Sequence, residues 1–322
     1  MKKLSILLVL FLIINMAGCG DNDRPGEPLR VASLKGPTSM GLVNLMAENE
    51  GDAEKKRYDF TIVTAADELT TSLIQGELDC AVIPANLAAI LYNKTEGKIK
   101  VAALAVGGVL HLVAKGTPLT SLQDLKGQTL MSTGKGTVPE YILTHLLQES
   151  GLGTDDLTIE WKAEPTEVVA HLKLAEKAMA MMPEPFLTVA EGQVEGLQVL
   201  PLDDIWKRVH PGSSQVTAVV VVRSEVLDKR TGEVKKFLAD FKQSVDKANS
   251  DMEVTATLIE TYGIVKADVA RKALPRCNVM LVTGPEMKDS LSAFLGVLHA
   301  ADAAAVGGTL PGDDFYAISA AD

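Results

Sequence analysis

Aromatic side chains are scarce. Two Trp, five Tyr and seven Phe make up 4% of 322 residues, thin for stacking platforms on bases or sugars. Three cysteines cannot brace a disulfide scaffold. Positive charge is in deficit: 31 Lys and Arg stand against 42 Asp and Glu, a net charge of -11. A field of that sign repels phosphate backbones and argues against nucleic acid as a partner. No apolar run reaches the ~18 residues of a permanent membrane-spanning helix. Catalytic signatures are missing too. The five histidines (His111, His145, His171, His210, His299) are dispersed, and the sequence holds no HExxH, no GxSxG elbow and no SxxK followed by KTG. Neither a zinc site nor a catalytic constellation is expected, and no cofactor. The remainder is ordinary globular composition, 47% hydrophobic and 23% charged, in a chain long enough for two domains of ~150 residues.

The first twenty residues point to a compartment. Lys2 and Lys3 precede an apolar run, Leu4 to Ile14, interrupted only by Ser5, and Met16-Ala17-Gly18-Cys19 follows. The arrangement resembles a bacterial lipobox, in which small residues precede a cysteine that is acylated and becomes the mature N-terminus. Met16 stands where Leu is usual. Residues 1–18 therefore read as a lipoprotein signal peptide and Cys19 as the lipidation site. Residues 19–28 are polar and rich in Gly and Pro, a tether from lipid to folded body. Two or three acyl chains anchor stably at ~0.8 kcal/mol per buried CH₂. The body is expected on the outer face of the cytoplasmic membrane. Export permits a Cys80–Cys277 disulfide, but two free thiols are the expectation, with Cys80 a small hydrophobe in an apolar strand.

From residue 29 the chain alternates strand and helix. Leu29–Leu34, Asp59–Thr64, Asp79–Ile83 and Val101–Val106 read as strands, with helices over Met40–Glu48, Ala66–Gln75 and Leu87–Tyr92. The order then restarts. Strands at Thr129–Met131, Leu157–Trp161 and Ala178–Met182 alternate with helices over Val138–Ser150, Glu167–Glu176 and Phe186–Glu191. Such alternation predicts mainly parallel sheets covered by helices. The halves keep register: Thr38 and Thr137 are 99 residues apart, and so are Pro84 and Pro183. Two matches at one offset imply two lobes of like architecture. A third apolar stretch, Thr217–Val222, precedes helices over Gly232–Ser250, Met252–Tyr262, Lys266–Ala273 and Pro285–Ala301. The chain is expected to cross between lobes near His111–Ala114 and again near Gln215–Ala218, a two-strand hinge. Lobe I then comprises 29–110 and 217–311, lobe II comprises 115–211, and 312–322 form a C-terminal tail.

Ligands of open α/β sheets bind beyond the carboxyl ends of the strands. Four loops fall there: Lys35–Met40, Pro84–Asn86, Thr133–Pro139 and Pro183–Pro185. The candidate ligand-binding residues are Lys35, Gly36, Thr38, Ser39, Met40, Pro84, Asn86, Gly134, Lys135, Gly136, Thr137, Pro183, Glu184 and Pro185. Two loops are helix N-termini rich in Gly, Thr and Ser, whose free N–H groups favour an anionic or strongly polar group. Lys35 and Lys135 add positive charge. In either loop alone such residues read as N-caps, as Thr38 and Ser39 do, but two such loops in matching positions favour the binding reading. Asn86 reads as a ligand donor and acceptor or as a cap for the following helix. Glu184 reads as a ligand acceptor or as a carboxylate at a helix N-terminus. Gly134-Lys135-Gly136-Thr137 lacks the order of a nucleotide phosphate loop, and Met179, Met181 and Met182 read as strand core.

The lipobox, the two-lobe strand order and Met182-Pro183-Glu184-Pro185-Phe186 together resemble the solute-binding lipoproteins of ABC importers, in the nitrate/sulfonate/taurine group that also includes binders of thiamine-precursor pyrimidines. The resemblance implies a type II periplasmic-binding-protein fold. It implies a non-catalytic, monomeric protein that holds a small polar or anionic solute between its lobes and delivers it to a membrane permease driven by a cytosolic ATPase. It carries the family's ligand loops onto Gly36–Met40, Pro84–Asn86, Gly134–Thr137 and Pro183–Pro185. The alternative is an enzyme on the same fold, as menaquinone-pathway enzymes and a thiamine-pyrimidine synthase are. One departure stands out. The family's Gly-x-x-Asp is present as Gly76-Glu77-Leu78-Asp79 in lobe I but reads Ala175-Glu176-Lys177-Ala178 in lobe II.

Overall fold

The structure, a computed structural model, describes residues 27–51, 56–64 and 66–318. The signal peptide, Cys19 and most of the tether lie outside the described residues, as do the last four residues of the tail. Short aliphatic strands separated by helices make up the first unit: β1 (Leu29–Leu34), α1 (Pro37–Met40), α2 (Val43–Gly51), β2 (Tyr58–Val63), α3 (Ala66–Gln75), β3 (Cys80–Pro84), α4 (Ala85–Lys94) and β4 (Ile99–Val106). The second unit runs β5 (Leu110–Lys115), β6 (Thr129–Thr133), α5 (Val138–Glu149), β7 (Thr158–Lys162), α6 (Pro165–Leu174), β8 (Ala178–Pro183), α7 (Phe186–Glu191), β9 (Gln198–Pro201) and α8 (Leu202–Val209). The chain then returns through β10 (Ala218–Arg223), α9 (Ser224–Lys229), α10 (Thr231–Ser250), α11 (Met252–Thr261), α12 (Ala267–Ala273), β11 (Val279–Val282) and α13 (Gly284–Ala301).

Two sheets result, ordered β11-β4-β10-β3-β1-β2 and β7-β6-β8-β5-β9. β1 pairs parallel with β2 and β3, and β6 with β7 and β8. The strands at the sheet centres are buried on both faces: Ala81, Val82 and Ile83, and Val219 to Val222, are 0% exposed. That explains why they read as continuous apolar runs rather than alternating ones. Each sheet also has an antiparallel member inserted beside its third strand. β10 runs antiparallel to β3 and β4, and β5 antiparallel to β8 and β9. Both are the strands that arrive directly from the other lobe. A chain that leaves one sheet at its carboxyl edge and enters the next at the facing edge must run against its new neighbours.

The first crossing is Gly107–Val109, upstream of His111–Ala114, which lie inside β5. The second, ending at Thr217, runs beside it. Thr217 donates its N–H to the Val106 carbonyl at 2.9 Å and its hydroxyl to the Gly107 carbonyl. Asn278 joins them from the turn before β11: its carbonyl accepts the Gly107 N–H at 2.9 Å, and its side-chain amide donates to the Gly108 carbonyl. Lobe I is completed by long helices on its two faces. α10 presents Val234, Phe237, Leu238, Phe241 and Val245 to one face, and α13 presents Met287, Leu291, Phe294, Leu295 and Leu298 to the other. Both sets follow the three- and four-residue spacing of an amphipathic helix. A buried polar link fixes α2 against α10 and α11: Asn44 donates to the Ser244 carbonyl and to the Thr255 hydroxyl.

The helices expected from periodicity all form, with ends that differ mostly by a few residues. The hinge crossing expected near His111–Ala114 is strand β5, while β9 and β11 were not legible. β9 and β11 are only four residues long, too short for a periodicity signal. The altered lobe II turn is real. α3 closes through Gly76 at φ +78, whereas α6 leaves through Ala175 in an extended conformation at φ -72, ψ 145. Cys80 and Cys277 are free and buried, and burial pushes both thiols far up. Met179, Met181 and Met182 are core, at 3%, 1% and 1% exposure.

The hinge is tightly packed at Gly108, where an added Cβ would stand 2.7 Å from Asp203 Cβ. Gly108→Ala is expected to lower stability by roughly 1–3 kcal/mol through overpacking. A thermal melt checks this; an unchanged melting temperature contradicts it.

Candidate functional site

The four loops chosen from the sequence lie at the carboxyl ends of β1, β3, β6 and β8. In lobe I, Gly36 caps α1 at φ +128, with open space where a Cβ would stand. Thr38 and Ser39 are not caps. They occupy the first turn of α1, are 9% and 0% exposed, and turn their hydroxyl protons inward. Thr38 donates to the Leu34 carbonyl and Ser39 to the Gly36 carbonyl at 3.0 Å. Met40 is 0% exposed and packs among Val43, Ala256 and Ile259, so its side chain presents no surface to a ligand here. Pro84 caps α4, whose first N–H, from Ala85, is taken by the Thr217 carbonyl of the hinge. Asn86 lies inside the first turn of α4 and donates its side-chain amide to the Ala305 carbonyl at 3.3 Å, so it is no cap.

In lobe II, Gly134 and Gly136 adopt φ +83 and +72 and turn the chain into α5. A Cβ at Gly134 would meet the Thr137 hydroxyl at 2.7 Å. Thr137 caps α5 by position but makes no side-chain cap bond; its hydroxyl donates back to the Gly134 carbonyl at 2.6 Å. The Gly136 N–H is already taken by the Glu140 carboxylate. The amide expected to meet an anion at this helix end thus has an anion of its own. Lys35 and Lys135 are exposed, one on each lobe, and neither makes an ion pair with a described residue.

Pro183 ends β8 and Pro185 caps α7 across a cis Glu184–Pro185 bond. Glu184 is 1% exposed. One carboxylate oxygen accepts from the Thr188 N–H at 3.2 Å and the Thr188 hydroxyl at 2.8 Å, capping the first turn of α7. The other faces Arg276 Nε at 2.5 Å. Glu184 thus sits as a carboxylate at the N-terminus of α7, buried rather than superficial, with one oxygen hydrogen-bonded to Thr188 and the other facing the guanidinium. Burial pushes its carboxyl above the usual range, opposed by the Arg276 charge and by the Thr188 bonds.

Arg276 is not among the candidate residues chosen from the sequence. It precedes β11, on the cleft-facing edge of lobe I, and binds three residues of lobe II: Glu184, Thr188 and Glu191. A separation of 85 to 92 positions along the chain leaves no local signal for such pairing. A second polar contact crosses the cleft at Tyr141, whose hydroxyl reaches the Gly136 carbonyl at 3.2 Å and the Asp302 carboxylate of lobe I at 3.4 Å. Apolar contact is carried by Trp206 of lobe II, whose ring centroid lies 5.5 Å from that of Phe294 of lobe I and whose ring is tilted against the stacked pair His145 and His210. The stretch after α13 docks on lobe I: Asn93 donates to the Val306 and Thr309 carbonyls. A hollow of about 520 Å³ lined by Ile74, Lys94, Ile99 and Arg223 lies at the ends of β4 and β10 opposite the hinge. Among the described residues no group of three or more His, Cys, Asp or Glu is arranged to hold a metal ion.

The profile of the NMT1/THI5-like family matches residues 107–253. A crystal structure described as an ABC transporter from Parabacteroides distasonis is 26% identical, covers 90% of this chain and 98% of its own, and superposes with a TM-score of 0.76. The periplasmic aliphatic sulphonate-binding protein SsuA from Escherichia coli is 17% identical over 85% of this chain and 87% of its own, with a TM-score of 0.69. The ligand-binding component of an ABC-type import system from Staphylococcus aureus, solved with zinc bound, is 19% identical over 92% and 98%, with a TM-score of 0.67. No curated protein sequence matches the chain. The fold is that of type II periplasmic binding proteins, two α/β lobes joined by a two-strand hinge.

His111 yields a pH prediction. It is 4% exposed in β5 and donates its Nδ1 proton to the Val109 carbonyl at 3.1 Å. Burial holds the imidazolium down, so its pKa falls from 6.5 to about 4. A depressed His contributes stability that is complete above pH 6.5 and lost as pH falls through 4, about 3 kcal/mol at one proton per site. Melting temperatures of the parent and of His111→Asn, which keeps a donor, should converge between pH 6.5 and 4. Parallel profiles contradict the assignment.

Proposed function

We propose that a chain with this fold and these neighbours is the extracytoplasmic solute-binding component of an ABC importer, capturing a small solute between its lobes and delivering it to a membrane permease powered by an ATPase. The observation that carries this reading is the hinge. Two crossings bonded side by side join two bodies whose strand ends face each other, and the 26%-identical P. distasonis structure spans both bodies. The neighbours described by function are binding components rather than enzymes, and the reading of an enzyme on the same fold has no observation in its favour.

The lobes in this reading are residues 29–110 with 217–311, and residues 115–211. Cys19 carries the lipid that holds the protein, as a monomer, to the outer face of the cytoplasmic membrane. No helix among the described residues is long and apolar enough to cross a membrane. Solute contacts come from Lys35, Gly36, Thr38, Lys135 and Thr137, with Pro84, Asn86, Gly136, Pro183 and Pro185 shaping the walls and buried Ser39 supporting the first turn of α1. Glu184 and Met40 act behind that surface. The structure favours a specific division of labour. Hydroxyl protons of Thr38 and Thr137 point back into their own loops, so each hydroxyl offers lone pairs to a solute N–H or O–H. Unpaired Lys35 and Lys135 supply attraction for a negatively charged part of the solute. A body of net charge -11 still attracts an anion, because distant charges are screened beyond ~8 Å while a lysine acts at contact.

Thermal shift against alkanesulfonates, carboxylates, nitrate and pyrimidines is expected to find at least one stabilising solute; a panel that leaves the melting temperature unmoved contradicts the reading. For an anionic hit, Lys35→Glu or Lys135→Glu is expected to weaken binding about tenfold, near 1.4 kcal/mol, and more at low salt than at high. Titration calorimetry at two ionic strengths checks this, and equal losses at both make the lysines bystanders. Thr38→Ala with Thr137→Ala should weaken binding by a similar factor with the melting temperature of the free protein within a few degrees. Unchanged affinity removes both loops from the site.

A further inference from the structure

Solute capture requires the lobes to part and meet, and one side chain makes most of the polar contact between them. Arg276 reaches from lobe I into lobe II. Its Nε faces Glu184 Oε1 at 2.5 Å, its Nη1 donates to Glu191 Oε1 at 3.0 Å, and its Nη2 donates to Glu191 Oε2 at 2.6 Å and to the Thr188 hydroxyl at 2.9 Å. The partners differ in kind. Glu191 is about one-third exposed and keeps access to water, whereas the Glu184 side chain is 0% exposed. Glu184 Oε2 is satisfied within its own lobe by Thr188. Oε1 receives no aligned hydrogen bond, so its charge is balanced by the guanidinium of the opposite lobe.

We propose that Arg276 is the closing latch of the cleft, a positioning residue that sets how much of the protein is shut and so how firmly a solute is retained. The second half of that statement rests on the solute-binding reading; the first does not. When the lobes meet, Glu184 is cut off from water and needs a countercharge, which Arg276 brings. When they part, both groups can hydrate. Desolvation and attraction nearly cancel for such a pair, so the latch is reversible rather than a lock. Deleting the arginine alone is different: it leaves an uncompensated carboxylate that is buried only in the shut form, so the whole penalty falls on closure. Neutralising the carboxylate as well removes that penalty. Apparent solute affinity scales with the fraction of the protein in the shut form.

The test needs no solute. Ile74 in α3 and Leu174 in α6 are exposed, at 55% and 85%, one on each lobe, while Cys80 and Cys277 are buried away from thiol reagents. Spin labels at Ile74→Cys and Leu174→Cys report the interlobe distance by double electron–electron resonance. Arg276→Gln is expected to shift the open-to-shut ratio at least tenfold toward open, and Arg276→Gln with Glu184→Gln to return it to within about threefold of the parent. A distance distribution unchanged by Arg276→Gln overturns the proposal, and so does a double variant as open as the single one. If Arg276→Gln fails to fold, Arg276→Lys carries the test: it keeps the charge but cannot fork between Glu184 and Glu191. A smaller shift toward open is then expected, and none overturns the latch. Loss of the shut form on Arg276→Gln, in a protein that no solute stabilises, leaves the latch standing and removes the solute-binding reading.

Discussion

Everything in this fold hangs on two short chain segments that cross between the lobes and bond to each other. Gly107–Val109 and the segment ending at Thr217 are joined by the Thr217 N–H on Val106 and the Thr217 hydroxyl on Gly107. The same crossings insert β5 and β10 into the sheets as their antiparallel strands. Neither sheet is complete without a strand that has just arrived from the other lobe. The lobes are therefore free to tilt but not to slide, since sliding would pull an interior strand from each sheet. The first N–H of α4 bonds Thr217 as well, so a cleft-side turn of lobe I is tied directly to the hinge.

That constraint places charge where it has consequences. Arg276, Cys277 and Asn278 precede β11 at the cleft-side edge of lobe I. Asn278 secures the first crossing while Arg276 reaches over to lobe II. Hinge and interlobe ion pair are thus consecutive pieces of one turn. Glu184 follows β8 and donates its own N–H to the Val109 carbonyl in the first crossing. Lys35 and Lys135 at the mouth remain uncommitted, a division between cations that hold the protein together and cations left for a ligand.

Much of this was legible in the sequence, for identifiable reasons. The 99-residue offset relating Thr38 to Thr137 and Pro84 to Pro183 reflects a real correspondence of β1 with β6 and β3 with β8. Ser33 and Ser132 share the offset, and each buried hydroxyl donates to the carbonyl of the next residue. The loss of glycine at Ala175 announced a different exit from α6, and the turn is different. What could not be read was non-local. Glu184 read equally as a ligand acceptor or a helix-terminal carboxylate; its local partner Thr188 fits the second reading, but its pairing with Arg276, far along the chain, left no sequence signal. The amide-rich turn at Gly134–Thr137 looked open to an anion because the back-bond from Glu140 depends on a side-chain rotamer rather than on residue type.

The central claim is that one solute touches both lobes at once. Hydrogen–deuterium exchange, with and without the solute that most raises the melting temperature, tests it most directly. The account predicts slower exchange at residues 35–41 of lobe I and 134–138 of lobe II together. Protection confined to one lobe, or centred on the hollow beside Arg223 at the strand ends opposite the hinge, would contradict it.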